Sequence, residues 1–271
     1  MEYLLFSNDS RYAGAASRAG FSAIVVDWEW RGKADRQRGF DTEINLGGLD
    51  ALRAVREAVS CKVICRVNNA RDSLEAEVEL AIDNGANEIL LPMVRHPAEV
   101  EALLTRIDGR AHLGVMVETR EGMGMGRELE PFPLSRVYIG LHDYQIESQG
   151  HTLFSPLVDG TIDRFLADFR GALGFAGITR PACGAPIPQW MLLAAMHRAG
   201  CQFGVARRGF RSAVESSQIA EALAELDAAS QALQSRTSDQ IEADHRKLKA
   251  MVHGLPCTSP SLDVEHSTCA S

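Results

Sequence analysis

The chain lacks any uninterrupted apolar run near the roughly 20 residues that a membrane-spanning helix needs, so no membrane partner is expected. Its opening, Met1-Glu2-Tyr3-Leu4-Leu5-Phe6, has neither a basic stretch nor a long apolar one, which argues against a secretory leader. A basic excess is missing as well. Lys plus Arg number 28 against 36 Asp plus Glu, and the net charge of −8 disfavours nucleic acid as the main partner. Paired CxxC knuckles are absent: Cys61, Cys65, Cys183, Cys201, Cys257 and Cys269 are scattered, so no structural zinc site is expected. Without a leader they read as reduced thiols in a cytoplasmic protein, with Cys61 and Cys65 as small apolar residues in or near a strand.

What the chain does have is a repeated alternation. At 271 residues and 45% hydrophobic content it can bury a large core. Short apolar, β-rich runs fall near 3–6, 23–28, 62–67, 88–94, 112–118, 136–141, 174–179 and 202–206. Helical patterns lie between them at 11–19, 47–59, 71–84, 97–107, 160–172 and 188–199. Gly122, Gly124 and Gly126 weaken any helix over 119–133. Eight strands in this order predict a (β/α)8 TIM barrel over 1–211 rather than an open doubly wound sheet. Residues 212–253 predict C-terminal helices, belonging to the same domain or to an arm exchanged between subunits, the second opened by a capping box at Thr237-Ser238-Asp239-Gln240. The composition of 254–271 predicts a disordered tail.

In a parallel barrel the strand ends converge on one face, where catalytic groups gather. Two consecutive runs close in carboxylates there, at Glu118-Thr119 and His142-Asp143, and an earlier run closes in Arg66. Two acids from adjacent strand ends suit a hard divalent cation such as Mg2+ or Mn2+; alternatively each caps the segment after its strand. The planar fork of Arg66 suits a carboxylate or enolate oxygen, or equally a structural ion pair across the barrel mouth. Alternation puts Asp27 and Glu29 on one side, able to orient metal-bound water or simply to hydrogen-bond an ordinary strand end, with Trp28 and Trp30 on the other. His142, beside Asp143, is a candidate proton carrier or, as lone histidines more often are, a structural residue. Arg207-Arg208, after the last run, can attract a carboxylate or phosphate, or form helix-end or interface ion pairs. The segment Glu121-Gly122-Met123-Gly124-Met125-Gly126 lacks the strand–helix context of a dinucleotide fingerprint and reads as a turned loop.

Taken in order, Val25-Val26-Asp27-Trp28-Glu29, Cys65-Arg66-Val67-Asn68, Gly85-Ala86-Asn87-Glu88-Ile89-Leu90-Leu91-Pro92-Met93-Val94, Val115-Met116-Val117-Glu118-Thr119 and Tyr138-Ile139-Gly140-Leu141-His142-Asp143 resemble the HpcH/HpaI aldolase and citrate lyase β-subunit-like family. The resemblance spans roughly 20–210. It implies a divalent-metal-dependent barrel acting on 2-oxo acids or related acyl compounds. Glu118 and Asp143 would ligate the metal, Arg66 would stabilise an enolate oxygen, and backbone amides around His142-Asp143 would hold the substrate carboxylate.

One position departs from the pattern. The aldolase branch places a histidine directly after the Asp-x-Glu element and the citrate-lyase-like branch an acidic residue, whereas this chain has Trp30, which cannot act as a base. Three readings follow. The first is a Mg2+- or Mn2+-dependent carbon–carbon lyase or condensing enzyme working through a pyruvate- or oxaloacetate-type enolate. The second is an acyl-CoA lyase or thioesterase, and the third a barrel that binds a metabolite without turnover. Relatives of this kind form trimers or hexamers, so the resemblance also implies a homo-oligomer.

Overall fold

The computed structural model describes residues 1–30, 48–148 and 152–255. The strands are β1 (Glu2–Phe6), β2 (Ala23–Asp27), β3 (Lys62–Arg66), β4 (Glu88–Leu91), β5 (His112–Val117), β6 (Arg136–Ile139), β7 (Leu173–Phe175), β8 (Gly177–Ile178) and β9 (Phe203–Ala206). Every pairing is parallel, in the order β7-β6-β5-β4-β3-β2-β1-β9-β8. The seventh predicted run appears as two pieces because Ala176 takes a left-handed φ of 57° between them. Its first piece pairs with β6 and its second with β9, so one broken strand closes the ring. This is a (β/α)8 TIM barrel with helices outside and a helical C-terminal extension.

Buried parallel strands turn one set of side chains inward and the alternate set toward the helices. Leu4, Phe6, Ala23, Val25, Ile64, Leu90, Met116, Tyr138, Phe203 and Val205 form the barrel interior, a cluster separate from the larger one beneath the helices. At the end where the strands begin, the interior holds a bidentate ion pair, Arg136 Nε to Glu88 Oε1 at 2.7 Å and Nη2 to Oε2 at 3.1 Å. Gly114 makes room for it: a Cβ there would stand 2.7 Å from Glu88 Oε1 and 2.9 Å from Arg136 Cγ. The charged floor plugs the barrel, leaving the opposite end for a site.

The helices follow their sequence signals. In α1 (Ser10–Ala19), Asp9 accepts hydrogen bonds from the Arg11 and Tyr12 amides, and Gly20 ends the helix with a φ of 117°. Next come α2 (Leu49–Ala58), α3 (Leu74–Asp83), α4 (Pro97–Ile107), α5 (Arg120–Met123), α6 (Gly126–Leu129), α7 (Leu141–Ser148), α8 (Thr161–Asp168), α9 (Gln189–Arg198) and α10 (Arg208–Ala213). The glycine-rich stretch expected to be a turned loop forms the two short helices α5 and α6.

Two longer helices close the described chain, α11 (Ile219–Gln234) and α12 (Ser238–His253), the latter opened by the Thr237–Gln240 capping box. Both pack on α9 of the same chain, and Leu248 and Val252 of α12 are buried. Each such burial contributes about 1.5–3 kcal/mol. The predicted tail, from 256 onward, lies outside the described residues. The reading of all six cysteines as reduced needs correction: Cys61, Cys65 and Cys201 are free, but Cys183 is disulfide-bonded. Scattered spacing carries no information about which thiols the fold brings together. Among the described residues, no helix is long and apolar enough to cross a membrane.

Candidate functional site

Parallel pairing puts Asp27 and Arg66 in register at the ends of β2 and β3. Their side chains meet fork to fork, Arg66 Nε donating to Asp27 Oδ1 at 2.8 Å and Nη2 to Oδ2 at 2.6 Å. Arg66 Nη1 lies 3.0 Å from Glu29 Oε2 and 3.6 Å from Met116 Sδ. Asp27 and Glu29 thus share a side, as the alternation predicts, while Trp28 turns into the helix layer and donates its ring N–H to the Gly48 carbonyl. Burial works against the Arg66 charge, but Asp27 and Glu29 more than offset it and hold the guanidinium firmly cationic.

Glu118 follows β5 directly and is buried. It caps no helix, since Thr119 does that by accepting from the Gly122 amide at 2.9 Å. Instead Glu118 Oε1 accepts the Met93 amide at 3.0 Å, which Met93 presents from a left-handed φ of 53°. The β5–β6 register brings Gly140 level with Glu118, and a Cβ on Gly140 would fall 2.2 Å from Glu118 Oε2. Only glycine leaves the carboxylate its place. Burial, then the neighbouring charges of Asp143 and Glu29, push the Glu118 carboxyl up to about 8, against the pull of Arg66 and the Met93 amide. Asp143, also buried, was expected at a strand end; β6 stops at Ile139, and Asp143 sits in the first turn of α7, where the helix dipole favours a carboxylate. His142 is its half-buried neighbour in that turn.

Arg207 continues the inward alternation of Phe203 and Val205 past the end of β9. Its Cζ lies 5.0 Å from the centroid of the Phe6 ring, and so does that of Arg66. The Tyr138 phenol, pushed up by burial, is drawn the other way by the charge and hydrogen bond of Arg207, and it also donates to the Ala176 carbonyl at 3.2 Å. Arg211 reaches back to the Phe6 carbonyl at 2.5 Å.

Residue-type reasoning passed over several supporting groups. Asn8 fastens the end of β2, donating to the Asp27 carbonyl at 3.1 Å and accepting its amide at 2.8 Å. Asn68 accepts the Trp30 amide at 3.0 Å, donates to the Trp28 carbonyl at 2.9 Å and is itself held by Glu77. Trp30 is half exposed at 49%. Gly140, Tyr138 and Phe6 were legible in principle, because each sits two residues from, or level with, an inward-facing position.

The donors available to a cation are all oxygens. Among the described residues no three His, Cys, Asp or Glu side chains are grouped to hold a metal ion. A cation at Glu118 and Asp143 would therefore take the rest of its shell from water and substrate, as Mg2+ commonly does. The donors fit on one physical ground: burial and the charge of Asp143 raise the cost of ionising Glu118, and a divalent cation would relieve it.

No family model matches the chain, and no curated protein matches its sequence. Among solved structures it is similar to a monomeric form of the dimeric phosphoribosylanthranilate isomerase of Thermotoga maritima, with a TM-score of 0.56 and 12% identity over 84% of this chain and 99% of that one. At that identity the likeness speaks for the barrel alone.

Proposed function

We propose that this protein is a divalent-cation-dependent carbon–carbon lyase or condensing enzyme that works through the enolate of a 2-oxo acid. The observation that supports it is the pair Glu118 and Asp143, two buried carboxylates at the mouth of a TIM barrel beside a buried arginine, with Glu118 costly to ionise. A cation bound there supplies Lewis-acid polarisation of a 2-oxo carbonyl. The chain's own residues provide the rest. Nε and Nη2 of Arg66 are committed to Asp27, so its Nη1 edge is the one that meets a developing oxyanion. Fixing that edge in advance is the contribution of Asp27, and Asn8 and Asn68 lock the backbone that carries it.

Trp30 offers no basic atom, so the proton route passes to another group. Glu29, 3.0 Å from Arg66 Nη1, is the carboxylate we assign to it, with His142 as the second carrier from the α7 side. The start of α7 faces the substrate carboxylate with the positive end of its dipole. Manganese titration followed by water proton relaxation tests the reading. The parent should bind Mn2+, and Glu118→Gln and Asp143→Asn should each weaken it about tenfold or more. Equal binding in all three proteins removes the cation from the proposal.

A further inference from the structure

Two arginines look onto one ring at the mouth, and their electrostatic circumstances differ. Arg66 is largely committed to carboxylates, with Asp27 on Nε and Nη2 and Glu29 on one N–H of Nη1, the other being left for the reacting oxygen. Arg207 is half-buried, and among the described residues its contacts are the Phe6 ring and the Tyr138 hydroxyl, with no carboxylate in ion-pair distance. A guanidinium held over an aromatic face and beside a phenol is positioned, yet keeps donors for an incoming acceptor. Both Cζ atoms lie 5.0 Å from the same centroid, so at most twice that distance separates them. A group on a substrate whose reacting oxygen meets Arg66 is therefore within reach of Arg207.

We infer that Arg207, braced by Phe6 and Tyr138, is a specificity-determining residue that binds a second carboxylate of the substrate, so that the site selects short diacids over the matching monoacids. This rests on the reading of Arg66 and Glu118 as the reacting end. One guanidinium with a phenol beside it balances a single negative charge, which favours a carboxylate over a doubly charged phosphate.

The test is calorimetric titration of the full chain with matched pairs in the presence of Mn2+: malate against 2-hydroxybutanoate, 2-oxoglutarate against 2-oxopentanoate, and inorganic phosphate alone. The parent should prefer the diacid of at least one pair by about tenfold or more, the worth of a charge-assisted hydrogen bond. Arg207→Met should erase the preference while leaving monoacid affinity and Mn2+ relaxation where they were; Arg207→Lys should keep part of it. No preference in the parent, or one that survives in Arg207→Met, overturns the inference while leaving the cation reading standing. Phosphate bound more tightly than either diacid, and lost in Arg207→Met, overturns the carboxylate assignment. Loss of Mn2+ binding in the parent strikes the reacting end instead, and the diacid preference is still read from titrations without metal.

Discussion

Glu118→Gln should make the metal-free protein more stable in alkaline solution, which is unusual for the loss of a candidate ligand. The parent carboxyl is pushed from its ordinary 4.5 up to about 8, first by burial and then by Asp143 and Glu29. Between those values the folded chain holds a proton that the unfolded chain releases. Stability therefore falls as pH rises through this window and levels off above pH 8. At about 1.4 kcal/mol per pH unit, the span amounts to several kcal/mol. Glutamine fills the same space, accepts the Met93 amide through its carbonyl oxygen and never ionises. In chelator, unfolding free energies of parent and variant from urea titration should nearly coincide at pH 5 and separate by a few kcal/mol at pH 8.5, the variant higher. Saturating Mn2+ should restore the parent at pH 8.5 and do little for the variant. Parallel stability curves from pH 5 to 8.5 would refute the idea that Glu118 carries an unrelieved charge.

Gly140→Ala should displace the Glu118 carboxylate, because the new Cβ would fall 2.2 Å from Oε2; Mn2+ relaxation should weaken about tenfold or more, with about 1–3 kcal/mol lost in urea unfolding. Arg66→Met strands two buried carboxylates and should cost about 3–5 kcal/mol, whereas Arg66→Lys should keep the cation but lose most of the turnover. Unchanged turnover in the lysine variant would take Arg66 out of the mechanism. Leu248→Ala should cost about 2–5 kcal/mol, because that side chain is buried on its own barrel. Light scattering of the folded variant should show the parent's mass, and a smaller mass would assign α12 to an interface between copies.

The barrel was legible because its signals are local. Each apolar run is bounded by turn chemistry, and caps such as Gly20 and the Thr237–Gln240 box mark helix ends within a few residues. The break at Ala176 was not, since a left-handed alanine is imposed by ring closure rather than by its neighbours in sequence. The run before Asp143 continued apolar into Leu141, which hid the switch from strand to helix after Ile139. At the mouth, the Asp27–Arg66 pairing follows from strand ends that share a register, and alternation adds Glu29. The Met93 amide on Glu118 requires a positive φ that methionine rarely adopts, and no residue pattern announces it.

Enolate chemistry leaves a signature that needs no knowledge of the physiological partner. In deuterium oxide with Mg2+ or Mn2+, the methyl protons of pyruvate should exchange in the presence of the parent protein, followed by proton NMR, and the exchange should fall away in Glu118→Gln, Asp143→Asn and Arg66→Lys. Absence of exchange with either cation, while cation and pyruvate are both shown to bind, would contradict the assignment of this mouth to a 2-oxo acid enolate.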